Sequence, residues 1–208
     1  MKLLVLLLLL PAICFSQGNY TPERVAEHMI NENYTQAFWT ARAVYGLHSE
    51  ELVPILDHLI AQDPNNIDFL YAKYNITKDD ETLFKISRQY LALSIYENSE
   101  FYIHEAVALF YGREDLVGYL GMAECLATEL EFYSNQTLVY FRQGVSAPDT
   151  SYTTALQSQG MKNQKMYSSF FRFKEYMTLA SEVIEPEYVG LYNSLYANVE
   201  SQLINLQD

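Results

Sequence analysis

Cysteine is almost missing from this chain. There are two in 208 residues, and Cys14 lies in an opening segment that reads as a removable leader, so Cys125 stands alone in the remainder. A small disulfide-stapled scaffold is excluded, and stability has to come from packing. A lone thiol in an oxidising compartment is either buried or bonded to another chain. Cys125 falls between Met122 and Leu126 on an apolar helical side, so we expect burial, and a monomer rather than a disulfide-linked dimer. Positive charge is scarce too: 13 Lys and Arg stand against 26 Asp and Glu, a formal charge of −13. That surface repels phosphate backbones and anionic headgroups, which argues against nucleic acid as a partner and favours solubility and cationic surfaces. After residue 16 no apolar run approaches the roughly 18 residues of a membrane span. Strict alternation of apolar and polar residues is nearly absent, so strands are not expected.

Catalytic signatures fail one after another. His104-Glu105 begins like a zinc-protease helix, but residue 108, where the second histidine belongs, is alanine. Gly144-Val145-Ser146-Ala147-Pro148 lacks the closing glycine of a nucleophile elbow. Gly112, Gly118 and Gly121 do not have dinucleotide-binding spacing, and no strand precedes them. His28, His48, His58 and His104 are not spaced as local metal ligands. Acidic pairs such as Glu50-Glu51 and Asp79-Asp80 sit at helix starts, where the macrodipole accounts for them. No cofactor, metal or catalytic residue is expected, and the chain reads as non-enzymatic.

What is present begins with compartment. Met1-Lys2 is a minimal basic region, Leu3 to Leu10 is an unbroken apolar run, and Pro11 to Ser16 ends it, with Cys14 and Ser16 at the −3 and −1 positions of a cleavage before Gln17. This is the layout of a secretory signal peptide over residues 1–16, too short to span a bilayer. The expected location is extracellular, or periplasmic if the source is bacterial. Roughly 190 residues remain, enough for one large domain or two small ones. Three sequons follow, at Asn33, Asn75 and Asn135, each read as lying at a turn or helix edge where a glycan can be carried.

Apolar residues recur at three- and four-residue spacing throughout, so the expected fold class is all-α. Thr21-Pro22-Glu23 is a helix start with a capping threonine and an early acid. Ala37, Phe38, Ala41, Val44 and Tyr45 form the inward stripe of a helix stopped by Gly46. Ser49 is expected to cap the next, with Leu52, Ile55, Leu56 and Leu59 inward, and Asp63-Pro64-Asn65-Asn66 is a turn. Asp79 or Asp80 starts a helix with Leu83, Ile86, Tyr90, Leu93 and Tyr96 facing inward. Gly112 ends another, and a helix from Leu116 to Tyr133 is closed by Ser134-Asn135. These elements occupy residues 17–143, a helical-hairpin region. Residues 144–160 read as a polar linker that is helical in part if Asp149 caps it, and 161–208 as a C-terminal helical hairpin packed on the same domain. In that hairpin Met166, Phe170, Phe173, Met177, Ala180 and Ile184 make one stripe. Leu191, Leu195, Val199, Leu203 and Leu206 make most of the other.

Cut at residues 33, 67 and 101, the chain gives three blocks of 34 residues, each with a shorter helix, a turn and a longer helix. Leu52, Ile86 and Leu120 share one column, and Leu59, Leu93 and Ala127 another. This period and Gln62-Asp63-Pro64-Asn65-Asn66 resemble the tetratricopeptide repeat over residues 33–134. The chain departs from that family at the column for a small residue, which holds Thr40, Tyr74 and Ala108, and lacks its aromatic and glycine pair. The resemblance implies a concave surface for an extended partner; otherwise these are the antiparallel hairpins of a helical bundle.

Eighteen tyrosines and eleven phenylalanines against a single tryptophan, Trp39, give the sequence its functional colour. Tyrosine is enriched at binding surfaces, where its ring gives area and its hydroxyl specificity. The expected function is an extracellular protein-interaction module. The alternative is a carrier of a small apolar ligand in a helical cavity, for which Phe110, Phe132, Phe141, Phe170 and Phe173 are the candidate lining.

Overall fold

In the computed structural model, residues 20–142 and 149–204 are described, with side chains for residues 20–135, 160 and 163–201. The signal-like segment, Phe141, Leu203 and Leu206 therefore lie outside the described side chains. The fold is all-helical, and no strand occurs among the described residues. The helices are α1 (Pro22–Ile30), α2 (Tyr34–Tyr45), α3 (Val53–Gln62), α4 (Ile67–Thr77), α5 (Asp80–Tyr96), α6 (Glu100–Phe110), α7 (Leu116–Arg142), α8 (Asp149–Glu182) and α9 (Val189–Ile204). Short 3₁₀ turns, Glu50–Leu52 and Pro186–Tyr188, precede α3 and α9. The chain divides into two compact units, the first ending at Leu83 and the second beginning at Phe84, within α5.

In the first unit, local chemistry fixes each helix end. Thr21 is extended and its Oγ1 accepts from the Arg24 N–H at 3.3 Å, with Pro22 following, so α1 starts where capping predicts. Gly46, at φ 94°, lets the chain leave α2 through a conformation other residues rarely adopt. Asn66 starts α4 by accepting from the Phe69 N–H at 3.3 Å, and its amide donates to Asp63 at 3.2 Å, so the expected turn is tied at both ends. Ser49 is different: its hydroxyl donates to the Glu51 carboxylate and makes no cap, because a 3₁₀ turn intervenes before α3. Ala37, Phe38 and Ala41 pack with Leu52, Ile55, Leu56 and Leu59 as one core. Tyr45, expected inward, is 37% exposed, since it falls at the very end of α2 beyond that core. Lys73 of α4 and Asp57 of α3 form an ion pair at 2.8 Å.

The second unit is built around α7, on which α6, α8 and α9 all pack. Most of its residues from Leu116 to Ser134 are buried, and Tyr119, Glu124, Thr128, Glu129 and Glu131 are half-buried. Asp115 starts the helix: its Oδ1 accepts from the Gly118 N–H at 2.7 Å. The Arg113 guanidinium, 2.6 Å from the same carboxylate, holds Asp115 below its ordinary range. The expected stop at Ser134-Asn135 does not occur, and α7 runs on to Arg142. Phe132, Tyr133 and Ser134 are buried there, and packing overrides a propensity penalty of only about 0.5 kcal/mol per residue. The polar stretch expected as a linker is helical from Asp149 onward, as part of α8. Met166, Phe173, Met177 and Ala180 are buried as their stripe predicts, and Leu195 and Val199 likewise. In α5, Leu83 and Ile86 are buried, but Tyr96 is 87% exposed in the last turn, where the helix leads into Glu97-Asn98. Phe84, Ser87, Leu91 and Ser94 are buried in addition, so the helix is covered on more than one side.

Candidate functional site

Helix α2 has two working faces. Ala37, Phe38 and Ala41 point into the core, while Gln36, Trp39, Thr40 and Ala43 follow the i, i+3, i+4, i+7 rule on another side. With Tyr20 before α1 and Leu47 just past Gly46, these residues and Arg42 line a hollow of about 630 Å³. Trp39 and Leu47 are each 54% exposed, so the hollow is an open groove. Arg42, one turn beyond Trp39, lays its guanidinium 4.8 Å from the indole centroid and 5.6 Å from the Phe38 ring. Phe38 is itself 5% exposed, so the plane on which Arg42 rests is anchored in the core. The guanidinium is thus placed by cation–π contact with both rings. Among the described residues no carboxylate pairs with Arg42. The groove therefore offers an aromatic wall, a positioned cation and the neutral polar groups of Gln36 and Thr40.

A polar cluster joins three helices of the second unit. Glu100 of α6 receives the Lys165 ammonium of α8 at 2.7 Å and the Tyr133 hydroxyl of α7. Lys165 also lies 2.7 Å from the Tyr133 oxygen and 4.9 Å from its ring centroid. The His104 imidazole stands 3.6 Å from Glu100 on α6. Burial opposes ionisation of Glu100, but the hydrogen bonds from Lys165 and Tyr133 outweigh it and hold the carboxyl below its ordinary range. Burial, with Glu100 beside it, pushes the Tyr133 phenol far above its usual 10.0. Both shifts move away from neutrality, the opposite of what a general acid or base needs. The cluster ties α6, α7 and α8 together. Beside it, His104, Val107, Ala108 and Tyr111 line a shallow hollow of about 350 Å³ along the outer side of α6.

No family model, curated protein or solved structure matches this chain. The reading of its site rests on its own geometry.

Phe110 is fully buried, 5.4 Å from the Phe84 ring, and Phe173 lies edge-on to Tyr196 at 5.8 Å. Phe132 is 4% exposed and edge-on to its neighbour Tyr133, while Phe170 is half-buried. Neither hollow described above is lined by any of them, and the Phe141 side chain lies outside the described residues. Cys125 is buried, with its sulfur 3.9 Å from the Ser87 oxygen, and burial pushes its thiol up to about 12. Asn33, Asn75 and Asn135 are all exposed. Asn33 stands at the start of α2 and Asn75 in the last turn of α4, as expected of helix edges. Asn135 is different, sitting inside the continuous α7. His58 stacks on Tyr34 at 4.5 Å. No cluster of three metal-ligating side chains occurs among the described residues. No described helix is long and apolar enough to cross a membrane.

The groove was missed because its face is mixed. Gln36, Trp39, Thr40 and Ala43 carry helical spacing, yet they form neither an apolar stripe nor a charged one.

Proposed function

We propose that this protein is a secreted, N-glycosylated, non-enzymatic helical protein that acts as an extracellular protein-interaction module, with the α2 groove as its contact surface. One observation carries the proposal: Trp39, Arg42 and Tyr20 line a single open groove, and these three residue types dominate the energetics of protein interfaces. The leader-like residues 1–16 and the three exposed sequons support the extracellular half of the reading. The carrier of a small apolar ligand is the weaker alternative, because Phe110 and Phe173 are packed against other rings and the described hollows are open rather than closed.

The repeat reading belongs to the same proposal. Leu52, Ile86 and Leu120, which share one column of the 34-residue period, are 1%, 0% and 0% exposed. The small-residue column is less regular: Thr40 is buried, Tyr74 is half-buried and Ala108 is exposed. We therefore read residues 33–134 as repeats in period and degenerate in their contacts.

The test is photocrosslinking. A benzophenone amino acid at Gln36, in protein secreted by a eukaryotic host, should trap a protein adduct in extracellular fluid that is lost on Trp39→Ala. The same probe at exposed Ala26 should trap none. Adducts independent of the probe's position would end the reading. Native mass spectrometry showing a non-covalent small molecule, released on denaturation, would put the carrier in its place.

A further inference from the structure

We propose that the α2 groove recognises a peptide segment presenting one acidic side chain beside an aromatic or aliphatic one, with the carboxylate held by Arg42 and the apolar group against Trp39 and Leu47. This inference rests on the interaction-module reading and gives it a ligand chemistry.

Acids outnumber bases two to one in this chain, so a surface arginine has an abundance of internal partners to choose from. Arg24, Lys73, Arg88, Arg113 and Lys165 each take one, at 2.6 to 2.8 Å. Arg42 takes none among the described residues, as is also true of Lys78, Arg172 and Lys174, but Arg42 is an arginine whose guanidinium stands over two rings, Trp39 and Phe38, beside a groove. A guanidinium carries N–H donors in a fork geometry that matches a carboxylate.

A pocket for a small ligand buries most of that ligand's surface, and walls that are themselves 54% exposed do not. They suit side chains protruding from a larger partner. Trp39 and Leu47 flank the cation on the apolar side, while Gln36 and Thr40 supply neutral hydrogen-bonding groups. With a formal charge of −13, the chain repels a polyacidic segment before contact. A single carboxylate on an otherwise neutral or basic partner avoids that repulsion.

Trp39 is the chain's one tryptophan, so its fluorescence reports on this groove alone. The experiment selects tryptophan-free heptapeptides from a phage library on the full secreted chain, then titrates the synthetic winners by Trp39 emission. Winners should carry one Asp or Glu within two positions of an apolar residue. Arg42→Gln, with its helical circular dichroism unchanged, should weaken them about tenfold. Replacing the peptide's acid by its amide should do the same, and the two changes together should cost no more than either alone. Arg42→Lys, which keeps charge without the fork, should fall between.

Peptides that shift Trp39 yet bind Arg42→Gln undiminished would overturn the carboxylate assignment and leave the groove as the contact surface. Winners that leave Trp39 unmoved, or a library that yields none, would remove both. Saturable movement of Trp39 by 3-phenylpropionate with no peptide selected would reassign the groove to a small acid and overturn the proposal.

Discussion

Cys125 and Tyr133 hold their protons for the same reason: each is sealed in the second unit with carboxylates nearby. Burial, with Glu124 and Glu129 in its surroundings, pushes the Cys125 thiol up to about 12 from 9.0, and burial beside Glu100 raises Tyr133 above 10.0. A group whose native value is raised contributes stability that is complete below its ordinary value and is lost as pH climbs through the native one. Stability should therefore fall as pH passes 9, first through Cys125 and then through Tyr133 as well. Urea midpoints measured from pH 8 to 10.5 check this, and Cys125→Ala should flatten the early part of the fall. An unchanged slope in that variant would mean that the thiol is not the group responsible. The native thiol should also ignore a disulfide reagent at pH 8 and react at once in urea, since the thiolate is the nucleophile. Glu100 works in the opposite sense. Its carboxyl is held low, so its contribution is complete above about 4.5 and is lost as pH falls through the native value. Glu100→Gln should make stability less sensitive to pH in that acid range, and equal acid sensitivity in both proteins would contradict the assignment.

Helix α7 separates two glycine substitutions that propensity alone treats alike. A Cβ at Gly121 would lie 2.4 Å from the Phe110 ring, and Phe110 is fully buried with no room to retreat. Gly121→Ala should cost about 1–3 kcal/mol despite alanine's advantage of about 1 kcal/mol in a helix. Gly160 of α8 has nothing within 4 Å of its own Cβ position, so Gly160→Ala should gain up to about 1 kcal/mol. Urea denaturation of both variants should give opposite signs; a matching sign would mean that the α6–α7 contact is looser than its geometry. The same contrast shows what a reader of sequence could and could not see. Thr21, Asp63–Asn66 and Gly112 announce themselves because capping and turn chemistry act within four residues. Inward stripes at Ala37–Ala41 and Met166–Ala180 are visible because one face of each helix is apolar. In helix α7 the pair Ser134-Asn135 reads as an end, but Phe132, Tyr133 and Ser134 are buried and packing carries the helix through it. The cluster of Glu100, Tyr133 and Lys165 joins residues 33 and 65 positions apart, beyond any local pattern. The pose of Arg42 is likewise a matter of side-chain rotation, which spacing does not encode.

At the scale of the whole molecule two electrostatic effects oppose each other, and salt distinguishes them. The ion pairs Lys73–Asp57, Arg113–Asp115 and Lys165–Glu100 are attractive and would be weakened by added electrolyte. They are also partly exposed, where such pairs contribute about 0–1 kcal/mol each. Against them stands the mutual repulsion of a chain with a formal charge of −13, which destabilises any compact state and is relieved as the screening length falls from about 30 Å at 0.01 M to about 8 Å at 0.15 M. With 26 acids and 13 bases, half of the acids have no base to pair with, so repulsion outweighs the pairs. The midpoint of thermal unfolding should rise as sodium chloride goes from 0.01 to 0.15 M, most steeply at the low end. A flat or falling midpoint would mean that ion pairing, rather than the acidic surface, dominates the electrostatics of folding.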